Sequence, residues 1–458
     1  MSISRADIVI TNGRLVRRSG AALRAVEGSL IISDGRIAAL APPSADNLPP
    51  AQLVIDAEGG LVLPGLVNAH THSPENLSCG EAERAGFDDW MTTVWSRLDR
   101  LDRKGSRLAA LLGAAEMIRT GVTGVVDHLR RFPMTEATLD AVVGAYAGAG
   151  MRTCVPVMLR DAVDSGGRGI DSAHLGALPS PDEQIGIIRN AAPEAARRGV
   201  RLALGPSAPH RCSDAMLDAI GAAAEREGFA IHTHVDETPA IAQAARERFG
   251  RSTVEELDAR GLLGPFAALA HCVAISGDDR CLIARRSALV VHNPLANMRL
   301  ASGTCDVPAL LAEGAIIALG TDGAASNDGQ NLWESAKLAA LLTRRPGLAP
   351  GRWLDAASAF NMATLNGERA LRGGLDLEAQ NGLFVGAPAD LAIYAPDILP
   401  HDDTTVAARL VLGSTARAAR HVVCAGRVLM RDGQLTTIDE KSLRADLADY
   451  TPGARYAD

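Results

Sequence analysis

The sequence has few aromatic residues, few lysines and no closely spaced cysteines. Aromatic residues make up 3% of the 458 residues, and only three of the 46 basic residues are lysines. The seven cysteines never form a Cys-x-x-Cys pair, which argues against a disulfide framework or a thiolate zinc site. No 18 uncharged apolar residues follow one another, and the N-terminus has no apolar stretch of signal length. We therefore expect a soluble cytoplasmic protein that does not cross a membrane.

Neither sign of charge is in large excess, which bears on the kind of partner. Lysine and arginine number 46 against 54 for aspartate and glutamate, giving a net charge of −8, and these residues are scattered along the chain. This pattern argues against nucleic acid or an anionic membrane as the main partner. With 47% hydrophobic residues, the chain has ample material for one large core with a smaller appendage.

The two ends of the chain share a sequence pattern that differs from that of the middle. Short apolar strands separated by Asn-Gly and Asp-Gly signals fill residues 1–60, and a similar pattern returns in residues 381–458. We expect both ends to build one small β-sandwich domain. In residues 61–380, short apolar strands alternate with helical segments, which predicts an α/β fold with a (β/α)₈ TIM-type barrel. The predicted barrel strands cover residues 65–70, 122–127, 152–157, 201–205, 229–234, 266–271, 288–292 and 315–320.

Ionisable residues collect at the carboxyl ends of these strands, where the chemistry of such barrels lies. In "LVNAHTHSPEN", His70 and His72 point to the same side of an extended strand, about 7 Å apart. Five predicted strands end in histidine although the chain has only 11 histidines, so we expect a metal site. The strand-end residues are His70, His72, Asp127, His128, His232, His234, His271, His292 and Asp322.

This ordered set of motifs resembles the amidohydrolase superfamily. It is most similar to the mononuclear-metal aminohydrolases of N-heterocycles, which include triazine hydrolases, guanine deaminases and adenosylhomocysteine/methylthioadenosine deaminases. The resemblance extends over nearly the whole chain and implies the barrel and the composite terminal sandwich. Its motifs are "LPGLVNAHTH", "IHTHVDET", "AHCV", "HNPLANMRLASG", "LGTDGAASND" and "NMATLNGERAL".

The resemblance implies a set of metal ligands made of His70, His72, His234 and Asp322. His234 is preferred to His232 because family members place a glutamate three residues after the ligand, and only His234 is followed in this way. We expect His232 to be a buried packing residue or one that supports a ligand. Three nitrogens and one carboxylate oxygen suit one divalent ion, Zn²⁺ or Fe²⁺, and we favour Zn²⁺.

A second metal ion is not expected. Two-metal relatives usually need a carbamylated lysine on an early strand, whereas no lysine lies between Lys104 and Lys337. A single divalent ion lowers the pKa of a bound water to about 7, which makes hydroxide available at neutral pH.

The resemblance also implies catalytic roles for Glu237, His271 and Asp322. Asp322 would accept the proton of the attacking water, and Glu237 would protonate the ring nitrogen next to the attacked carbon. His271 would orient the water and stabilise the developing oxyanion. The implied reaction is the hydrolytic deamination of an amino-substituted purine, pterin, pyrimidine or triazine, with release of ammonia.

Substrate recognition is read from the loops. Glu75, His210, His292 and Trp90 are the candidate substrate-binding residues. An adenosine-type substrate is not favoured, because "GPSAPHRCSD" carries Ser207 and His210 where nucleoside-type relatives tend to have a histidine and a tyrosine. Residues 160–181 could form a lid, although an ordinary loop is the simpler interpretation.

Alternative functions use the same scaffold. One is a triazine-type chlorohydrolase or alkylaminohydrolase, another is a cyclic amidase, and a third is a catalytically silent relative that only binds a ligand. Glu237, His271 and Asp322 argue against the silent relative, because a pure scaffold needs no acid and base. The resemblance further implies a homo-oligomer.

Overall fold

The computed structural model describes residues 5–20, 22–43, 48–161, 178–374, 381–396, 405–413 and 418–452. Within these residues, an eight-stranded parallel sheet forms a barrel, and strands from both ends of the chain form a separate nine-stranded sheet. The predicted fold class is therefore confirmed. Most of the predicted lid lies outside the described residues. No described helix has the length and apolar character needed to cross a membrane.

The terminal sheet is mixed and uses strands from both ends of the chain. β5 connects the two ends, since it pairs in parallel with β1 and antiparallel with β14. The N-terminal strands are β1 (Ala6–Ser19), β2 (Ala22–Ser33), β3 (Arg36–Ala41), β4 (Ala51–Asp56) and β5 (Leu61–Pro64). The C-terminal strands are β14 (Leu391–Tyr394), β15 (Ala419–Cys424), β16 (Arg427–Arg431) and β17 (Gln434–Leu435).

Two Gly-containing turn signals behave differently in this sheet. Asp34 and Gly35 have φ of 51° and 71° and connect β2 to β3, as predicted for a two-residue hairpin. Asn12 also has a positive φ of 52°, but it lies within β1, where the register with β2 shifts before Gly13. The expected break between two strands is thus wrong at Asn12. A bulge accommodates the left-handed residue, so one long strand continues through it.

The barrel strands agree closely with the predicted ones. Every neighbouring pair is parallel, and most strand residues are buried on both faces, which explains why the strands read as continuous apolar runs. The first and last strands meet where the Asp322 amide donates to the His70 carbonyl oxygen at 2.9 Å. The strands are β6 (Leu66–Thr71), β7 (Val122–Asp127), β8 (Arg152–Leu159), β9 (Val200–Pro206), β10 (Ile231–Val235), β11 (Ala267–His271), β12 (Leu289–His292) and β13 (Ile316–Leu319).

Helices cover the outside of the barrel, and their ends carry ordinary capping signals. Ser180 and Glu183 form a capping box at the start of α4, and Gly150 ends α3 with φ of 79°. The helices before β11 are α1 (Phe87–Leu98), α2 (Arg103–Arg119), α3 (Glu136–Ala149), α4 (Pro181–Arg197), α5 (Asp214–Glu227), α6 (Pro239–Phe249) and α7 (Thr253–Ala259). Those after it are α8 (Gly277–Arg286), α9 (Pro294–Arg299), α10 (Val307–Ala312), α11 (Ala324–Asn327), α12 (Leu332–Leu342), α13 (Ala356–Ala363), α14 (Leu365–Leu371), α15 (Val406–Leu412) and α16 (Glu440–Ala448).

A buried ion cluster joins the base of the barrel to the terminal sheet. Arg152 at the start of β8 donates from Nη1 to Glu368 Oε1 at 2.7 Å, and its Nη2 lies 2.5 Å from Asp390 Oδ2. Glu368 also accepts from Arg372 Nε at 2.6 Å. Both carboxylates are buried, so each needs a cation beside it to offset the loss of hydration. The cluster therefore ties β8 and α14 of the barrel to the residue that precedes β14.

Candidate active site

The four predicted metal ligands meet at the carboxyl end of the barrel. His70 Nε2 and His72 Nε2 lie 3.3 and 3.4 Å from Asp322 Oδ1. His72 Nε2 lies 3.1 Å from His234 Nε2. A tetrahedral ion that binds its ligands at about 2.0–2.1 Å spaces them about 3.3–3.4 Å apart. The separations of these side-chain atoms therefore fit a single divalent cation between them.

The other nitrogen of each imidazole is held by a neighbour, which leaves the Nε2 atoms to face one another. His70 Nε2 is buried and has no hydrogen-bond partner in the structure. This is the arrangement of imidazoles whose orientation is fixed by a second layer of hydrogen bonds. The Nδ1 atoms of His70, His72 and His234 lie 2.7, 2.7 and 2.5 Å from His232 Nε2, the His128 carbonyl oxygen and the Ser207 carbonyl oxygen.

His232 lies behind His70, where it contacts the Nδ1 atom of that ring. Burial lowers the pKa of His232 to about 3, so the ring is neutral at ordinary pH. A neutral ring can accept the His70 N–H, which in turn leaves His70 Nε2 as a lone-pair donor. The structure thus gives His232 a supporting contact, in line with the preference for His234 as the ligand.

The charge states of the cluster also suit a cation. Burial and the neighbouring imidazoles lower the pKa of His70 and His234 well below the ordinary value, so both are neutral donors. Burial alone would raise the pKa of Asp322, but the surrounding imidazoles, His271 first, outweigh it and lower that pKa. An ionised carboxylate with neutral imidazoles is a donor set for Zn²⁺ or Fe²⁺.

The loop that carries Asp322 is held in an unusual backbone conformation. Asp322 and His271 have φ of 64° and 72°, a region that costs non-glycine residues about 1–3 kcal/mol and that clusters at functional sites. Asn68 fixes the loop by accepting from the Thr321 amide at 3.1 Å. Gln330 adds a second tie, since its Nε2 donates to Thr71 Oγ1 at 3.0 Å, and that hydroxyl donates to the Asp322 carbonyl oxygen.

Asn68 and Gln330 are site residues that the sequence analysis missed. A signal for Asn68 was present, because it lies two positions before His70 and therefore on the same face of β6. An amide in the middle of an otherwise apolar barrel strand indicates a buried hydrogen-bonding role. Gln330 carried no such signal, since it lies in the segment between α11 and α12 and reaches the site only through the path of the loop.

The predicted acid and its neighbour lie beside the ligand cluster. Potential ligand atoms of Glu237, His271 and Asp322 lie within 4.8 Å of one another. His271 Nδ1 lies 2.8 Å from Asn297 Oδ1 and 3.7 Å from Glu237 Oε1. Burial raises the pKa of Glu237, only partly opposed by His271, so the carboxyl retains its proton to higher pH than an exposed glutamate. Glu237, the predicted acid, therefore lies next to the predicted ligand Asp322.

These residues form one end of a cavity of about 420 Å³. Glu75 and Trp90 line it, as expected of substrate-binding residues, whereas His210 and His292 are not among the lining residues within the described part of the chain. The polar lining consists of His72, Glu75, Arg130, Arg211, His234, Glu237, His271 and Asp322. The apolar lining consists of Phe87, Trp90, Met91, Trp95, Met158 and Leu300.

Glu75 has an unusual environment for a carboxyl group. It is 1% exposed, and its Oε2 has no hydrogen-bond partner in the structure. Burial, together with Asp322, raises its pKa well above the ordinary value. Its approach depends on Gly323, because a Cβ at that position would lie 1.8 Å from Glu75 Oε2. Glu75 is thus a buried carboxyl group at the wall of the cavity.

The comparisons with known proteins agree with this geometry. Residues 61–429 of the chain match the Amidohydrolase family. The chain belongs to the amidohydrolase family. A 5′-deoxyadenosine deaminase from Methanothermobacter thermautotrophicus is 36% identical to this amidohydrolase over 90% of this chain and 92% of its own. A 5-methylthioadenosine/S-adenosylhomocysteine deaminase from Nitratidesulfovibrio vulgaris is 33% identical over 97% of this chain and 96% of its own.

Solved structures give the same picture for the fold. An adenosine deaminase from Xanthomonas campestris with bound zinc has a TM-score of 0.84 at 25% identity, covering 97% of this amidohydrolase and 98% of that chain. The atrazine chlorohydrolase TrzN from Arthrobacter aurescens, complexed with zinc, has a TM-score of 0.85 at 25% identity. The match covers 96% of this amidohydrolase and 99% of that chain. The predicted family and the predicted class of enzyme, a hydrolase of carbon–nitrogen bonds, are confirmed.

Proposed function

We propose that this amidohydrolase removes the exocyclic amino group of a 6-aminopurine ring in an adenosine-type compound and releases ammonia. The observation that carries the proposal is the meeting of a four-residue donor set with Glu237, a buried carboxyl group of raised pKa, on one wall of a cavity. The relatives that are 31–36% identical over most of their length are named as deaminases of 5′-deoxyadenosine or of methylthioadenosine and S-adenosylhomocysteine.

The doubt about an adenosine-type substrate came from Ser207 and His210. Neither residue is among those that line the cavity in the described ranges. Ser207 instead supplies its carbonyl oxygen to His234 Nδ1, and the His210 carbonyl oxygen accepts from Arg248 Nη1 at 2.6 Å. Their departure from the nucleoside-type motif therefore carries little weight against a purine substrate.

His70, His72, His234 and Asp322 would hold one divalent cation, for which Zn²⁺ is our proposal. The bound zinc in the two similar solved structures supports this choice. When bound, such an ion supplies an acidified water as the nucleophile.

The chain's own residues then supply the proton transfers. Glu237 donates a proton from its carboxyl group to the ring nitrogen beside the attacked carbon, so negative charge does not build up on the ring. Asp322, ionised within the cluster, accepts the proton that the attacking water loses and delivers it to the departing amine. His271 is kept in one orientation by its contact with Asn297 Oδ1 and would orient the water and stabilise the developing oxyanion.

The walls of the cavity suit a flat ring. Trp90 is fixed by a hydrogen bond from its Nε1 to the Ala325 carbonyl oxygen at 2.8 Å, so its position does not depend on the ligand. Met91 and Leu300 add apolar surface that excludes water. The raised pKa of Glu75 favours its protonated form, which can donate to a ring nitrogen and accept from an N–H on the same ring edge.

The test is a product assay joined to a metal analysis of the purified protein. Ammonia release is measured from adenosine, 5′-deoxyadenosine, guanine, a pterin and an aminotriazine, and chloride release from a chlorotriazine. We expect about one divalent ion per chain and fastest ammonia release from the 6-aminopurines. Release of chloride or alkylamine from the triazines, with no ammonia from any purine, would replace the proposal with the triazine-hydrolase alternative.

A further inference from the structure

The short segment between the proposed ligand His234 and the proposed acid Glu237 has an irregular backbone. If β10 continued as a regular strand, residues three positions apart would point to opposite faces. His234 Nε2 nevertheless lies beside His72 Nε2, and Glu237 reaches the same cluster, next to Asp322. Asp236 lies between the two residues with φ of 44°, a left-handed conformation. This one residue breaks the alternation, so that His234 and Glu237 can both face the site.

Backbone hydrogen bonds from the next loop hold this turn on one side. The Cys272 amide donates to the Val235 carbonyl oxygen at 3.0 Å, and the Ala274 amide donates to the Asp236 carbonyl oxygen at 2.9 Å. Cys272 follows the last residue of β11 and is itself left-handed, with φ of 49°. Non-glycine residues keep such conformations only where the surrounding structure imposes them. The loop after β11 therefore supplies part of the constraint on Asp236.

A side-chain hydrogen bond holds the turn on the other side. Asp236 is 2% exposed, and its Oδ1 accepts from Thr253 Oγ1 at 2.5 Å. Thr253 is also buried and is the first residue of α7. Burial, with a smaller contribution from Asp279, raises the pKa of Asp236 to about 6, so the position is a costly one for a carboxyl group. Glycine would adopt the same backbone without that cost, so the turn alone does not account for an aspartate here.

We propose that Asp236 and Thr253 are positioning residues that set the direction of the Glu237 carboxyl group. Their hydrogen bond attaches the turn to α7, while the backbone bonds attach it to the loop after β11. Glu237 is the next residue, and its Oε1 is held 3.7 Å from His271 Nδ1. Neither Asp236 nor Thr253 lines the cavity within the described ranges, so both act through Glu237. The inference rests on the proposed function, in which Glu237 is the acid.

A purely structural role for this hydrogen bond is the competing explanation. The bond could serve only to fix the start of α7, in which case its loss would lower the free energy of unfolding and leave kcat per bound metal unchanged. A positioning role predicts a lower kcat with unchanged metal content and KM, because proton transfer depends on the distance and direction of the acid. The two explanations therefore separate in the kinetic constants.

The experiment uses zinc-loaded full-length protein with adenosine as the substrate. Thr253→Val removes the donor with little change of shape, and Asp236→Gly keeps the left-handed backbone but removes the acceptor. Asp236→Asn is the conservative variant, since its side-chain oxygen can still accept from Thr253 and asparagine tolerates the left-handed region. Thr437→Val is the matched control, because it removes a threonine hydroxyl that donates to the Ala149 carbonyl oxygen at 2.8 Å, next to the terminal sheet.

Ammonia release gives kcat and KM, and elemental analysis gives the metal content. In Thr253→Val and Asp236→Gly, kcat should fall about 10- to 100-fold, with KM and metal content within about twofold of wild type. Asp236→Asn should stay within about threefold of the wild-type kcat, and Thr437→Val should equal wild type. A wild-type kcat in Thr253→Val, or a loss of kcat matched by a loss of metal, would overturn the inference.

Crystal structures of zinc-loaded wild type and Thr253→Val provide a second readout that does not depend on turnover. The Glu237 carboxyl group should shift by about 1 Å relative to His271 in the variant, a displacement large enough to affect catalysis. An unmoved Glu237 would contradict the positioning role even if kcat fell. If wild type releases no ammonia from any compound, the proposed function fails, and these structures alone decide whether Thr253 positions Glu237.

Discussion

The two ends of the barrel treat buried charge in opposite ways. At the base, Arg152 contacts Glu368 and Asp390, and Arg372 contacts Glu368, so each charge lies beside one of opposite sign. At the carboxyl end, His70 Nε2 and Glu75 Oε2 are buried without hydrogen-bond partners. At the base, neighbouring charges of opposite sign offset one another within the chain, although Arg152 Nε and Asp390 Oδ2 also lack a hydrogen-bond partner. At the carboxyl end, a bound cation would supply the partner that His70 Nε2 lacks.

This difference separates what stabilises the protein from what makes it act. A substitution at the base should alter the free energy of unfolding and leave chemistry alone. A substitution at the carboxyl end should alter the chemistry and leave the free energy of unfolding nearly unchanged. Asp322 and His271 already have strained backbones there, so the site does not serve stability. Four substitutions test this division.

The largest effect is expected at a proposed ligand. His234→Ala should remove the bound cation and reduce ammonia release to the background of the assay. Only three of the four proposed ligands would remain, which no longer suits the coordination of the ion. Metal content by elemental analysis is the measurement, with His421→Gln in the terminal sheet as the control. A His234→Ala protein that kept both metal and turnover would show that this imidazole is not a ligand.

A large effect on turnover without loss of metal is expected at Glu237. Glu237→Gln keeps the shape of the side chain but cannot supply the proton, so kcat should fall about 10²- to 10⁴-fold. Metal content should equal that of wild type, since Glu237 is not among the proposed ligands. Turnover at the wild-type rate in this variant would exclude Glu237 as the acid.

A smaller effect is expected where one imidazole supports another. His232→Leu removes the partner of His70 Nδ1, so His70 loses the contact that fixes its orientation. Loss of such a partner usually weakens metal affinity about 10- to 100-fold. Competition with a chelator of known affinity measures this change. An unchanged metal affinity would make His232 an ordinary packing residue.

The smallest effect on activity is expected at the base. Glu368→Gln removes one of the two carboxylates that contact Arg152. It should lower the free energy of unfolding by about 3–5 kcal/mol. Denaturant unfolding measures this loss, while kcat per bound metal should remain that of wild type. If kcat fell in proportion to stability, the two ends of the barrel would not be independent.

Much of the barrel was predictable because its strands are buried on both faces. Their apolar runs left few possible positions for the strands along the sequence. Histidines at the carboxyl ends of those strands then had to lie close together at one end of the barrel. The choice between His232 and His234 was harder, because both lie on the same face of β10. The structure separates them by depth, since His232 contacts the Nδ1 of His70 while His234 Nε2 lies beside His72 Nε2.

Other parts of the site could not be predicted from local pattern. Arg130 follows a strand end in "DHLRR", a position as typical of a solvated arginine as of a buried one. Its burial depends on Trp95, which comes from a helix more than 30 positions earlier in the chain. The raised pKa of Glu75 depends in the same way on its burial and on Asp322, and its position depends on the missing side chain of Gly323. Such contacts are set by tertiary packing, which periodicity does not report.

The connection between β5 and β6 has a practical consequence for protein engineering. A single residue, Gly65, separates the terminal-sheet strand Leu61–Pro64 from the barrel strand that bears His70. Deleting the chain after residue 380 would remove β14 and leave one edge of β5 with unpaired backbone groups. Such an edge recruits strands from other molecules. A version shortened in this way should therefore precipitate.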